Sequence, residues 1–163
     1  MNILTVNLIL STIVFWIAAQ IYVLPRLHDL APQAVLTPIL LLHALRHLGL
    51  MFLSPGATYP GVPSMFTYPA AIGDFVTALL ALIALMALSK RWASAAALLW
   101  LFSIVGFLDL MAAITLATIY DAEPFMGPAY WIPAFWVPAL LVTHAVAVAV
   151  LWRHGTGIVR RIS

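Results

Sequence analysis

A chain of 163 residues that is 65% hydrophobic and 7% charged has too little polar surface to cover a water-soluble globule, so an integral membrane protein is expected. The absence of cysteine excludes disulfides, thiolate metal sites and cysteine nucleophiles. The formal charge of +2 comes from a few Lys and Arg at segment ends and forms no basic patch, which argues against a nucleic-acid partner.

Apolar segments at about 3–24, 32–53, 66–89, 93–119 and 130–152 are each long enough to cross a hydrocarbon core of about 30 Å. The expected fold is therefore all-α, a bundle of five transmembrane helices forming a single domain over 1–163. No charge precedes Arg26, so the first segment reads as a retained span rather than a cleaved signal peptide. Pro25 to Pro32 ends it, and the second segment starts at Pro32 or Pro38, either of which suits a first helical turn. Ser54 to Met65 holds three prolines, two glycines and no charge, a composition that suits an ordered cap or lid over the bundle. In the fifth segment Pro138 removes a backbone donor and frees the carbonyl of Ala134.

Six of the seven Lys and Arg (Arg26, Lys90, Arg91, Arg153, Arg160 and Arg161) fall on one side of a five-span topology. The positive-inside rule makes that side cytoplasmic, with the N-terminus outside and the C-terminus inside. The other side carries the neutral Pro-rich stretch and the acidic Asp121-Ala122-Glu123 connection. Tyr120, Tyr130 and Trp131 at one boundary and Trp92 and Trp152 at the other stand where interfacial aromatic belts belong.

The seventh basic residue, Arg46, lies inside the second apolar segment. At α-helical spacing His43, Arg46 and His47 share one face, which cannot look at lipid because a charge at mid-membrane costs about 2.5–3.5 kcal/mol. Counted from the outer boundary at 1.5 Å per residue, Arg46 and His47 lie at roughly 10 Å, Asp74 at about 10–12 Å, His43 and Asp109 at about 15 Å and His144 at about 20 Å. These residues, drawn from segments two to five, form the candidate ligand site, and segment one is expected to be peripheral. Arg46 with Asp74 is the natural ion pair, which leaves Asp109 to orient His43 or His144. With one arginine and two aspartates ionised, the band carries about one net negative charge.

Several chemistries are open to such a band. His43, His47 and His144 are candidate ligands for a divalent metal, although no established zinc motif is present. A haem b needs axial imidazoles from two helices, His43 or His47 opposite His144, with Arg46 on a propionate, and would make the chain a redox subunit. A complete proton path is disfavoured, because no ionisable group lies below His144. A pocket opening outward beneath the cap, taking a small amphipathic or anionic molecule such as a quinone or lipid headgroup, asks least of the sequence. Against all of these stands a purely structural reading, in which the polar groups hold helices together in an accessory subunit of a membrane complex. Whether the chain is an enzyme is left open.

His43-Ala44-Leu45-Arg46, Tyr68 through Asp74, Trp100-Leu101-Phe102 with Gly106 and Asp109-Leu110, and Ile132-Pro133 through Pro138 to His144 together resemble a group of small, uncharacterised bacterial five-helix membrane proteins. The resemblance covers most of the chain and implies a bacterial inner membrane as the location, with no activity or cofactor attached.

The orientation is testable because the chain has no native cysteine. An impermeant thiol reagent applied to intact cells should label Tyr59→Cys and spare Lys90→Cys; the reverse pattern overturns the topology.

Overall fold

The computed structural model describes residues 3–155, and every regular element among them is helical. Five helices are long and apolar enough to cross a membrane: Ile3–His28, Pro32–Leu53, Ser64–Ser89, Ala95–Ile119 and Gly127–His154. They match the five apolar segments, the fifth starting a few residues earlier than expected. Arg160 and Arg161, used in the charge count, lie outside the described residues.

Prolines account for where the helices leave α geometry. Helix α1, Ile3–Ala18, continues as a π turn over Ala19–Val23 and a 3-10 turn over Leu24–His28, because Pro25 has no N–H to continue the ladder. Helix α2, Pro32–Ala44, starts on Pro32 and gives way to a 3-10 helix over Leu45–Leu53. Helices α3, Ser64–Ser89, and α4, Ala95–Ile119, are regular α-helices throughout. Each ends on a left-handed residue, Arg91 and Asp121, which turns the next N–H back to the last helical turn: Trp92 to the Ala87 carbonyl, Ala122 to that of Ala117. Helix α5, Val137–His154, is preceded by a π turn over Ile132–Trp136; with no N–H at Pro138, the N–H of Val137 reaches back to the Ile132 carbonyl.

The stretch before α3 and the stretch after α4 close one end of the bundle together. Tyr59 N–H donates to the Phe125 carbonyl at 2.8 Å, and Ala129 N–H to the Ala57 carbonyl at 2.9 Å. The start of α1 is tied to the same cap, through Leu4 N–H to Glu123 Oε1 and Asn7 Nδ2 to Tyr130 Oη, each 3.0 Å. The Pro-rich stretch is thus an ordered cap, as its composition indicated.

Helix α3 packs between α2 and α4 through a stripe of small residues: Ala70, Ala71, Ala78, Ala81, Ala84 and Ala87 are all buried. Small side chains let helix backbones approach closely, the packing that serves where apolar lipid offers no solvent drive for association. The opposite faces carry exposed Leu79, Leu82, Ile104, Phe107 and Leu108, an apolar perimeter suited to lipid. Buried apolar side chains form two clusters, one toward the cap around Phe66, Leu110 and Leu140, the other toward the far end around Leu40, Phe102 and Leu151. A polar layer separates them.

Ala84, in the far cluster, is fully buried, so Ala84→Leu has no space to fill. It should destabilise by about 1–3 kcal/mol in thermal or SDS unfolding, whereas exposed Ile83→Leu should be nearly silent. A neutral Ala84→Leu would show that the stripe is not a close-packed seam.

Candidate functional site

The 3-10 helix that follows α2 decides which side chains reach the polar layer. With 3.0 residues per turn, positions three apart eclipse, so Arg46, Gly49 and Phe52 line up on one edge, and they are the buried residues of this element. His47, one step on, is turned about a third of a circle away. It is exposed, and its Nδ1 pairs with the Ala44 carbonyl at 2.9 Å. The expectation that His47 shares a face with His43 and Arg46 is therefore corrected: it assumed α spacing across the point where the helix tightens.

Arg46 is fully buried and is the hub of the layer. Its Nε donates to Asp74 Oδ1 at 2.7 Å and its Nη2 to Asp109 Oδ2 at 2.5 Å. Its Nη1 donates to the Gly106 carbonyl at 3.1 Å and faces His144 Nε2 at a long 3.5 Å. The pairing with Asp74 is as expected. Asp109, by contrast, does not orient a histidine; it takes the other edge of the same guanidinium, whose planar fork serves two carboxylates at once. The spread of depths counted from the sequence also collapses, because the long arginine stem spans the difference between its backbone and His144.

Three glycines make these approaches possible. A Cβ on Gly49 would overlap the Asp74 carboxylate, and one on Gly73 would overlap that of Asp109. A Cβ on Gly106 would stand 2.6 Å from His144 Nε2 and 2.8 Å from Thr77 Cγ2. Their partners lie on other helices, so nothing in the local spacing marked them.

His43 and His144 are both fully buried, with ring centroids 4.1 Å apart and Phe102 at 5.0 Å from each. Thr143 Oγ1 stands 3.0 Å from His43 Nε2 and within hydrogen-bond reach of the carbonyls of Ala139 and Leu140. An arginine only donates, so the long contact with Arg46 suits the His144 tautomer with its lone pair on Nε2. Among the described residues the two Nδ1 atoms have no hydrogen-bond partner, and neither do the hydroxyls of Thr77 and Ser103. Thr77, Ser103 and Thr143 were not singled out in the sequence.

This arrangement does not fit a haem held between His43 and His144. Axial imidazoles must point their nitrogens at one iron across a porphyrin-wide slot, whereas these rings pack against each other and each Nε2 is engaged. Among the described residues no group of three His, Asp or Glu is arranged to hold a metal ion, and exposed His47 stands apart from the other two candidates.

Between the polar layer and the cap lies a cavity of about 260 Å³. Its walls include Leu8, Phe52, Phe66, Leu110, Ile114 and Val137; Asp74 stands at its inner end and Thr118 and Glu123 at its cap end. Segment one is peripheral in that Leu4 is the buried residue of α1, yet Leu4, Thr5 and Leu8 supply one wall. Glu123 had been read only as part of an acidic connection.

A family model described as a domain of unknown function (DUF8737) matches residues 3–152. No curated protein and no solved structure matches the chain.

The two-to-one arrangement predicts unequal mutants. Asp74→Asn or Asp109→Asn leaves one carboxylate on one guanidinium, while Arg46→Met strands two buried carboxylates. Arg46→Met should cost about 3–5 kcal/mol or prevent accumulation, each Asp→Asn clearly less, and the triple variant should recover much of the loss. Equal damage from all three single changes, read by unfolding in detergent, would contradict a shared guanidinium.

Proposed function

We propose that this chain, which belongs to the DUF8737 family, is a multi-pass membrane protein that binds a small amphipathic molecule in the cavity above Asp74. The observation that carries the reading is the cavity itself: a chamber with mostly apolar walls ends on a carboxylate of a buried ion cluster instead of closing with packed side chains. Apolar walls with a few fixed polar groups are the usual make-up of small-molecule sites. The apolar perimeter and five long helices support a place in a bilayer. With the basic ends of segments one, three and five on the cytoplasmic side, the cap and cavity face outward, and the resemblance drawn from the sequence favours a bacterial inner membrane.

The polar layer supports binding rather than transport. Beyond His43 and His144 the far apolar cluster of Leu36, Leu40, Leu88, Leu99 and Leu151 closes the bundle, so a ligand that enters from the cap leaves the same way.

Purified wild-type protein in nanodiscs, extracted with organic solvent and read by mass spectrometry, should yield a small molecule enriched over empty discs. Ala113→Trp, which fills the cavity from its α4 wall, should lose it. Recovery of the same molecule from both proteins, or of none from wild type, would count against the cavity as a binding site and leave the polar layer a scaffold.

A further inference from the structure

Resting on the cavity being a binding site, we propose that its ligand is a cation: a lipophilic primary amine or similar ammonium compound whose charged end sits on Asp74 and whose tail lies along Phe52, Phe66, Leu110 and Val137. The argument starts from charge. One guanidinium serves two carboxylates, so with both ionised the cluster carries one excess negative charge, and a charge so buried must be balanced by a proton or a cation. Among the described residues no lysine or arginine lines the cavity, and the two ionisable ones that do, Asp74 and Glu123, are both acids.

Geometry shows where a cation can reach. Arg46 is fully buried, directs its donors at Asp74, Asp109, Gly106 and His144, and is not among the residues lining the cavity. Asp74 differs: its side chain is 10% exposed, it lines the cavity, and Oδ1 alone takes the arginine Nε–H. Among the described residues no donor is bonded to its Oδ2. Oδ2 rests against Gly49, where a Cβ would overlap it, and a carboxylate oxygen with no donor on it can still accept from a primary ammonium. Glu123 adds a second acid at the cap end, where Oε1 already holds the Leu4 N–H, and would draw cations toward the mouth. The same charges disfavour a carboxylate or phosphate ligand, which would meet acids at both ends of the chamber.

The test uses three probes of one shape and different charge: octylamine, 1-octanol and octanoate, added at neutral pH to the purified full chain in nanodiscs. Thermal stabilisation and calorimetric titration read the binding. Octylamine should bind at least about tenfold tighter than octanol, a difference of about 1.4 kcal/mol, and octanoate should be weakest. Asp74→Asn should erase the preference for the amine, and Ala113→Trp should weaken all three probes. Octanol binding that Ala113→Trp abolishes, with no preference for octylamine, leaves the cavity reading standing and sinks the cation proposal. Octanoate binding at least as tight as octylamine also sinks it, and so does an amine preference that survives in a folded Asp74→Asn protein. If no probe binds, or Ala113→Trp changes nothing, the cavity is not a site and both readings fall. Should Asp74→Asn not fold, Glu123→Gln keeps the question open to measurement: the amine preference must fall while octanol binding stays, and an unchanged preference counts against the proposal.

Discussion

A guanidinium at zero exposure must have its charge and its donors satisfied before the helices around it can close. Much of the site geometry follows from that requirement. Asp74 comes from α3, Asp109 and the Gly106 carbonyl from α4, and His144 from α5, so one side chain of the second segment engages three other helices. The glycines at 49, 73 and 106 follow from the same demand, since the space a Cβ would take is already held by a carboxylate or an imidazole. A 3-10 run of the length seen at Leu45–Leu53 is uncommon, and here it has a structural consequence. It aligns Arg46, Gly49 and Phe52 so that the charge, the gap for Asp74 and a wall of the cavity come from one edge.

The ion cluster and the cavity are two sides of the same construction. Asp74 belongs to both, bonded to Arg46 on one side and lining the chamber on the other. The cap bounds the chamber at the far end, its two stretches tied to each other by the hydrogen bonds between Tyr59 and Phe125 and between Ala57 and Ala129. Helix α1 covers one side while leaving most of its own surface exposed, tied to the cap through Glu123 and Tyr130.

Segment boundaries and the identity of the central polar residues were legible because they rest on composition: long apolar runs, and ionisable groups conspicuous within them. Arg46 with Asp74 was legible too, since a buried arginine must find a carboxylate and few were present. What local spacing hid was geometry set by distant partners. His47 was placed in the site on α periodicity, and the change to 3-10 geometry turned it outward. Asp109 was assigned to a histidine because the arginine was taken to be satisfied by one acid; the planar fork had an edge left for a second. The spacing Arg46-x-x-Gly49-x-x-Phe52 carried the relevant signal, a period of three where an α-helix would drift, but only in hindsight of the buried edge.

The two histidines bear on why the layer exists at all. Polar contacts between membrane helices average about 0.6 kcal/mol, whereas each buried polar atom left without a partner costs about 1–3 kcal/mol. Among the described residues the hydroxyls of Thr77 and Ser103 and one ring nitrogen each of His43 and His144 have no partner, the two rings lying 4.1 Å apart. Apolar residues of similar size would spare the bundle those costs. A layer selected for cohesion alone would need only Arg46 and its carboxylates. Two buried histidines on different helices, each with a ring nitrogen that has no partner among the described residues, are therefore more than a fixed brace calls for.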